Sequence, residues 1–360
     1  MPLRHRLLAV AVAATWGLNF VVIEVGLEEV PPLLLCALRF ALVGLPLVWF
    51  VDRPPVPWRL ILGIGVALGV VKFGLLFTSM DVGMPAGLAS VVLQAQAPFT
   101  LLLAAATLRE TPSRGQLVGL GCALAGIGVI AASREGGVTA AGLAMCVAAA
   151  AAWAVANLMM KRAAAAGGGM GPISLMVWIS LVPPLPLLAL SLLVDGPHAV
   201  GDALAHLDLR SVSAIAYIAF LSTLGGFAAW SWLMRAYPAG QVASFALLVP
   251  PFGLAFGALL LGEPLGPPQL LAAALVVAGV AQATRSSSAR PVGPSTPPSV
   301  APSGSSYSSP LSTSRQRPAV LAGSSHSTPA PVAPSRTATA TSTASPRTNA
   351  TTSSPAGTGT

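Results

Sequence analysis

Charge is scarce in this 360-residue chain: 8% of its residues are Asp, Glu, Lys or Arg, against 54% hydrophobic ones. Soluble domains carry about 25% charged residues, so this composition excludes an ordinary water-facing protein. Cysteine is also scarce. Cys36, Cys122 and Cys146 each fall within an apolar run, with no CxxC pair and no Cys/His spacing. They read as small buried hydrophobes, and neither a disulfide framework nor a metal site follows. The histidines His5, His198, His206 and His326 sit in connections or terminal stretches, so an intramembrane histidine relay has no residues to use. There is no GxSxG, HExxH or phosphate-binding loop, and no apolar span holds paired carboxylates. Common hydrolase chemistry and ATP-driven pumping are thereby excluded; the expectation is a non-enzyme without cofactors, driven by a gradient. The net charge of +8 invites a nucleic-acid reading, but the basic residues lie between apolar runs and in the C-terminal stretch. No Arg/Lys stripe with interleaved aromatics exists, so nucleic acid is excluded as a partner.

What the chain does have is apolar length. Ten runs read as membrane spans, roughly 7–27, 33–52, 59–80, 85–108, 115–133, 139–160, 173–194, 211–234, 239–261 and 267–284. A run of about 20 apolar residues crosses a ~30 Å hydrocarbon layer as a helix. Arg4 and Arg6 before the first run resemble a signal peptide, but the apolar stretch continues through the weak site at Ala11-Val12-Ala13 to Leu27. It is expected to be retained as the first span.

The chain also repeats itself. PAGLASVVLQAQAPFTLLLAAATLRE, Pro85 to Glu110, returns as PAGQVASFALLVPPFGLAFGALLLGE, Pro238 to Glu263, at a constant offset of 153 residues. Gln116 and Gly126 continue the match to Gln269 and Gly279, and Trp16 and Asn19 are echoed by Trp153 and Asn157 with a one-residue slip. Each copy holds a proline near its middle, Pro98 and Pro251. Such prolines break a backbone hydrogen bond, and paired interrupted helices in two halves point to a transporter's binding site.

Basic residues set the expected orientation. With the N-terminus inside, inner segments hold Arg4, Arg6, Arg53, Arg59, Arg109, Arg114, Lys161, Arg162, Arg235 and Arg285, and outer ones only Arg134 and Arg210, ten against two. An offset covering five spans inverts one copy relative to the other. The expected fold is therefore an all-α integral membrane protein of ten transmembrane helices in two inverted five-helix repeats, residues 1–135 and 136–285. Residues 286–360 are rich in Ser, Thr, Pro and Ala with no acid, and are expected to form a disordered cytoplasmic tail.

These features carry a resemblance. Trp16-Gly-Leu-Asn19-Phe20, Ala37-Leu38-Arg39-Phe40, and the run from Pro85 to Glu110 with Gln116 and Gly126 resemble the EamA-type drug/metabolite transporter superfamily over residues 1 to about 285. WGLNFVVIEVGL, PPLLLCALRF and GMPAGLASVVLQAQAPFT look particularly like its cysteine and O-acetylserine exporter branch. The resemblance implies a ten-span secondary carrier exporting small polar metabolites of the cysteine pathway from the inner membrane. Glu24, Lys72 and the tail depart from the superfamily pattern.

Three charges interrupt apolar spans: Glu24, Arg39 and Lys72. Each costs roughly 2.5–3.5 kcal/mol at mid-membrane unless paired, snorkelled or hydrated. Glu24 and Arg39 are expected to pair across the short Glu28–Pro32 connection, making Arg39 mainly structural. Lys72, near the middle of its span, suits a substrate carboxylate, the alternative being a snorkelling lysine. Gly87, Ser90 and Gln94 share one face of the fourth span, with Gln96 on another. One of the two glutamines is expected to reach substrate. Asn19 and Asn157 are further candidate contacts, while Trp16 and Trp153 read as packing residues. Glu110 and Glu263 end their helices and are expected to restrain them by hydrogen bonds to the next span; with Arg39, Pro98 and Pro251 they form the structural and gating set. The partners expected are a small-molecule substrate and membrane lipid, with a homodimer left open. Efflux of drugs or other amino acids on the same scaffold, and a non-transporting membrane scaffold or sensor, also stay open.

Overall fold

In hydrocarbon every backbone N–H and C=O must find a partner within the protein, and a helix satisfies them locally. The computed structural model is described over residues 1–108, 111–133, 137–166, 171–238, 241–242 and 244–288. Glu110 lies outside these residues, as does the expected tail from residue 289 onward. Among the described residues every regular element is helical.

The spans are Leu3–Leu27, Pro32–Phe50, Trp58–Asp81, Ala86–Thr107, Arg114–Ala132, Ala140–Ala165, Ile173–Val194, Leu209–Ala236 and Ser244–Leu261, numbered here 1 to 9. A shorter apolar helix, Pro267–Ala283, is span 10. A further short helix, Gly196–Ala205, fills the connection between spans 7 and 8. The chain is a multi-pass membrane protein of two inverted repeats.

The irregularities repeat with the sequence. Span 4 is α-helical over Ala86–Val92, tightens into a 3₁₀ turn at Leu93–Ala95, and resumes at Gln96–Leu108. Span 9 shares the second part of this pattern, with a 3₁₀ stretch at Ser244–Leu248 before the helix Val249–Leu261. In both, the proline (Pro98 or Pro251) is the third residue of the second helical piece. That is where a proline is tolerated, because a helix's first N–H groups lack intrahelical acceptors. Spans 3 and 8 share a second irregularity, a π-helical segment at Gly65–Lys72 and Tyr217–Gly225. The offset of 153 superposes these two segments, although no residue pattern announces them. π-Segments are uncommon and concentrate at functional sites.

Spans 5 and 10 pack against each other by pseudo-twofold contacts. A Cβ added at Gly126 would sit 2.8 Å from the Ala272 carbonyl oxygen, and one at Gly119 would collide with the carbonyl of Gly279. The offset relates Gly119 to Ala272 and Gly126 to Gly279, so each contact is the repeat image of the other. Small residues here let the two backbones touch. Span 5 begins with a reciprocal cap: Ser113 Oγ accepts from the Gln116 N–H at 3.2 Å, and Gln116 Oε1 accepts from the Ser113 N–H at 2.7 Å. Caps of this kind contribute about 1 kcal/mol.

Candidate substrate cavity

The other eight spans surround a cavity of about 320 Å³. Span 1 contributes Trp16, Asn19 and Phe20, span 2 Arg39 and Phe40, span 3 Lys72 and Phe73, and span 4 Ser90, Gln94 and Gln96. The second repeat adds Trp153, Asn157 and Met160 from span 6, Met176 from span 7, Ser222, Thr223, Phe227 and Trp230 from span 8, and Ala246 and Val249 from span 9. The six expected contacts, Asn19, Lys72, Ser90, Gln94, Gln96 and Asn157, thus all line one cavity.

Arg39 lines it too, and its expected ion pair with Glu24 is not formed. Arg39 is seven residues into span 2 from Pro32, whereas Glu24 is three residues from the end of span 1 at Leu27. At 1.5 Å per residue the arginine therefore lies about 6 Å deeper. Its Nη2 instead donates to Thr223 Oγ1 at 2.8 Å, its guanidinium carbon sits 4.0 Å from the Phe73 ring centroid, and its Nη1 is buried without a partner. Thr223 is held in turn by donating to the Ile218 carbonyl at 2.8 Å, five residues back along the π-segment. Glu24, with one buried carboxylate oxygen unbonded, has Glu263, Asp81 and Glu28 as its charged neighbours, all acids.

Lys72 closes the π-segment of span 3. It is 3% exposed, and its Nζ lies 3.2 Å from the Phe73 centroid and 4.7 Å from that of Trp153. A buried cation over aromatic faces gains about 2 kcal/mol, whereas desolvating it costs several. The rings alone do not offset the burial of two cations.

Trp153 packing on the π-segment of span 3 has its image in Trp16, whose Nε1 donates to the Ser222 carbonyl at 3.0 Å in the π-segment of span 8. Both tryptophans, read from sequence as packing residues, face the cavity.

Gln94 and Gln96 also share it, contrary to the separate faces that an unbroken α-helix implies. Residues two apart point about 160° apart in an α-helix but about 120° apart in a 3₁₀ turn, and the Leu93–Ala95 turn lies between them. Gln96 is engaged: its Oε1 accepts from Asn157 Nδ2 at 2.6 Å, and Asn157 also donates to Thr100 Oγ1 at 3.2 Å. Asn19, the repeat image of Asn157, has no such support. The offset places Val249 where Gln96 stands and Gly253 where Thr100 stands, and Asn19 Oδ1 is buried with no partner. Ser90 spends its hydroxyl on the Gly87 carbonyl.

Glu263 makes a different contact from the expected one. Its carboxylate accepts from the Gly87 N–H at 2.9 Å, at the start of span 4 in the other repeat. The chain turns back there through Gly262, whose φ of 68° is left-handed, a conformation glycine adopts at no steric cost. Burial raises the Glu263 pKa, and the Gly87 and Ala86 N–H groups oppose that shift. At the same end of the bundle Glu28 and Arg210 form an ion pair.

Known proteins place this architecture. The model of the EamA-like transporter family matches residues 4–132 and 140–285. A probable amino-acid metabolite efflux pump of Salmonella typhimurium is 42% identical over 282 residues, covering 78% of this chain and 94% of the relative. Its Escherichia coli K12 namesake is 40% identical over the same shares. A probable terminal-alkyne amino-acid exporter of Streptantibioticus cattleyicolor is 28% identical, covering 75% and 90%. A solved crystal structure aligns with a TM-score of 0.53 at 20% identity, covering 78% of this chain and 96% of its own, a likeness of fold alone. The family matches, spanning both repeats, and the relatives at 40% identity or more lead to one conclusion: this chain belongs to the EamA-like transporter family.

Proposed function

We propose that this carrier exports small amino-acid metabolites by alternating access, with amino acids of the cysteine pathway, cysteine and O-acetylserine, as its substrates. The observation that carries the reading is the cavity between the two repeats, which holds two buried cations and, among the described residues, no carboxylate. A solute with a carboxylate supplies what the site lacks. Two relatives at 40% and 42% identity bear the name of amino-acid metabolite efflux pumps, which supports the same substrate class.

Lys72 meets the carboxylate, and Asn19 and Gln94 meet the remaining polar groups. Ser90, Gln96 and Asn157 shape the floor. Pro98 and Pro251, at the matching breaks of spans 4 and 9, are the hinges of the exchange between states. Glu263 fastens one end of the bundle, and Glu110 is its repeat counterpart. The repeats divide at 135/136, and the residues after 285 are dispensable for insertion. The protein lies in the inner membrane, and the ten-to-two balance of basic residues puts both termini on the cytoplasmic side.

Metabolite profiling of the medium from overexpressing and deleted cells tests the substrate. Cysteine and O-acetylserine should rise in the first medium and fall in the second; no change in either would refute the assignment. A reporter fused at Thr360 should read out in the cytoplasm, and a periplasmic signal would reverse the topology.

A further inference from the structure

We infer that Arg39 and Lys72 act together as one anion-binding pair, and that the cavity prefers amino-acid derivatives of net negative charge, N-acylated amino acids being the simplest, over plain zwitterions. This rests on the export reading above at the level of small amino-acid metabolites, and it ranks zwitterions such as cysteine and O-acetylserine below N-acylated derivatives.

The pair is built on one ring. The Lys72 ammonium lies 3.2 Å and the Arg39 guanidinium carbon 4.0 Å from the Phe73 centroid, so the two cations are no farther apart than those distances combined. Two cations that close can converge on a single carboxylate. Both are fully enclosed, at 3% and 4% exposure. Arg39 offers a free donor, because Thr223 occupies only its Nη2 and Nη1 is buried without a partner. Among the described residues no acid lines the cavity to balance them.

A zwitterion suits this site poorly. Its ammonium is bonded to the same carbon as its carboxylate, so wherever the carboxylate meets the cations the ammonium is held close to them as well. The acceptors available to it in the cavity are neutral, Asn19 Oδ1 and Gln94 foremost. Acylation removes that positive charge and leaves an amide N–H, a single donor that matches the single orphaned acceptor. That acceptor is Asn19 Oδ1, which is buried with no partner. The remaining wall, including Trp16, Trp153, Phe227 and Trp230, accepts an apolar side chain and acyl group.

Binding by the purified full-length protein at neutral pH is followed through its tryptophan fluorescence, using leucine, N-acetyl-leucine and N-acetyl-leucine methyl ester. The last compound keeps the acyl group and deletes the charge. N-acetyl-leucine should bind about tenfold more tightly than leucine, and the ester no better than leucine. Arg39→Gln and Lys72→Met should each bring N-acetyl-leucine to within about threefold of leucine, while Arg39→Lys, which keeps the charge, retains the preference. Leucine binding as tightly as its N-acetyl derivative, no binding of any of the three, or a preference that survives either Arg39→Gln or Lys72→Met would overturn the inference. Efflux from vesicles of phosphatidylethanolamine and phosphatidylglycerol separates the two readings. The expected binding order without efflux of any compound sustains the preference and refutes export. Leucine efflux without the binding preference does the reverse.

Discussion

The Gly87 N–H and the Glu263 carboxylate, 2.9 Å apart, tie the first turn of span 4 to the end of span 9 in the opposite repeat. The N-terminal end of a helix presents unsatisfied N–H groups and a partial positive charge, so a carboxylate is well placed there. Glu263→Ala removes the acceptor and should lower stability by about 1.5–2 kcal/mol, the lower part of the range for hydrogen bonds to charged groups because the site is only partly buried. Glu263→Gln keeps an acceptor and should lose less. Thermal unfolding in detergent compares them; an Ala variant as stable as the Gln variant would remove the bond from the account.

The charge on Glu263 has its own pH signature. Burial raises its folded-state pKa, so the ionised form costs stability that the neutral form does not. The associated stability is fully present below the ordinary carboxylate pKa of about 4.3 and is lost as pH rises through the raised value. Glu263→Gln carries no such dependence. Its melting temperature should therefore gain on that of the parent as pH rises from about 4 towards neutrality. A gap that stays constant or narrows over that window contradicts the assignment.

Pro98 and Pro251 are each the third residue after a 3₁₀ segment, in spans 4 and 9. Replacing both with Ala restores two backbone donors and favours continuous helices. Transport should fall while membrane levels persist. Normal flux from the double variant would reduce the prolines to tolerated duplicates.

The contact between spans 5 and 10 allows a paired test. Gly126→Ala places a methyl 2.8 Å from the Ala272 carbonyl oxygen, whereas Gly121→Ala meets nothing within 4 Å. The first should destabilise by about 1–3 kcal/mol through overpacking. The second should be neutral or slightly stabilising, since Ala is the better helix former. Equal melting temperatures for the two variants would contradict the packing described.

The ten spans were legible because apolar length is the one signal a membrane imposes on sequence. The duplicated prolines likewise marked where spans 4 and 9 break. The π-segments were not legible: Gly65–Lys72 and Tyr217–Gly225 have ordinary apolar composition, and the extra residue per turn is set by packing. Thr223 went unnoticed for that reason, since its contact with Arg39 depends on the π-segment of span 8. Gln94 and Gln96 read as lying on different faces because periodicity assumes a uniform helix, and a 3₁₀ turn separates them. The Glu24–Arg39 pair failed on depth, which neighbouring positions in sequence do not report. The candidate contacts themselves were readable because a polar residue in an apolar span is expensive enough to need a reason.

Lys72 is the residue on which the account turns, and Lys72→Met tests it by removing the charge while keeping much of the stem. The decisive measurement is amino-acid efflux from proteoliposomes containing equal amounts of folded parent and variant. The account predicts that the parent moves the amino acid and that Lys72→Met loses most of that flux. Undiminished amino-acid efflux by Lys72→Met would contradict it and leave recognition to neutral donors such as Asn19 and Gln94.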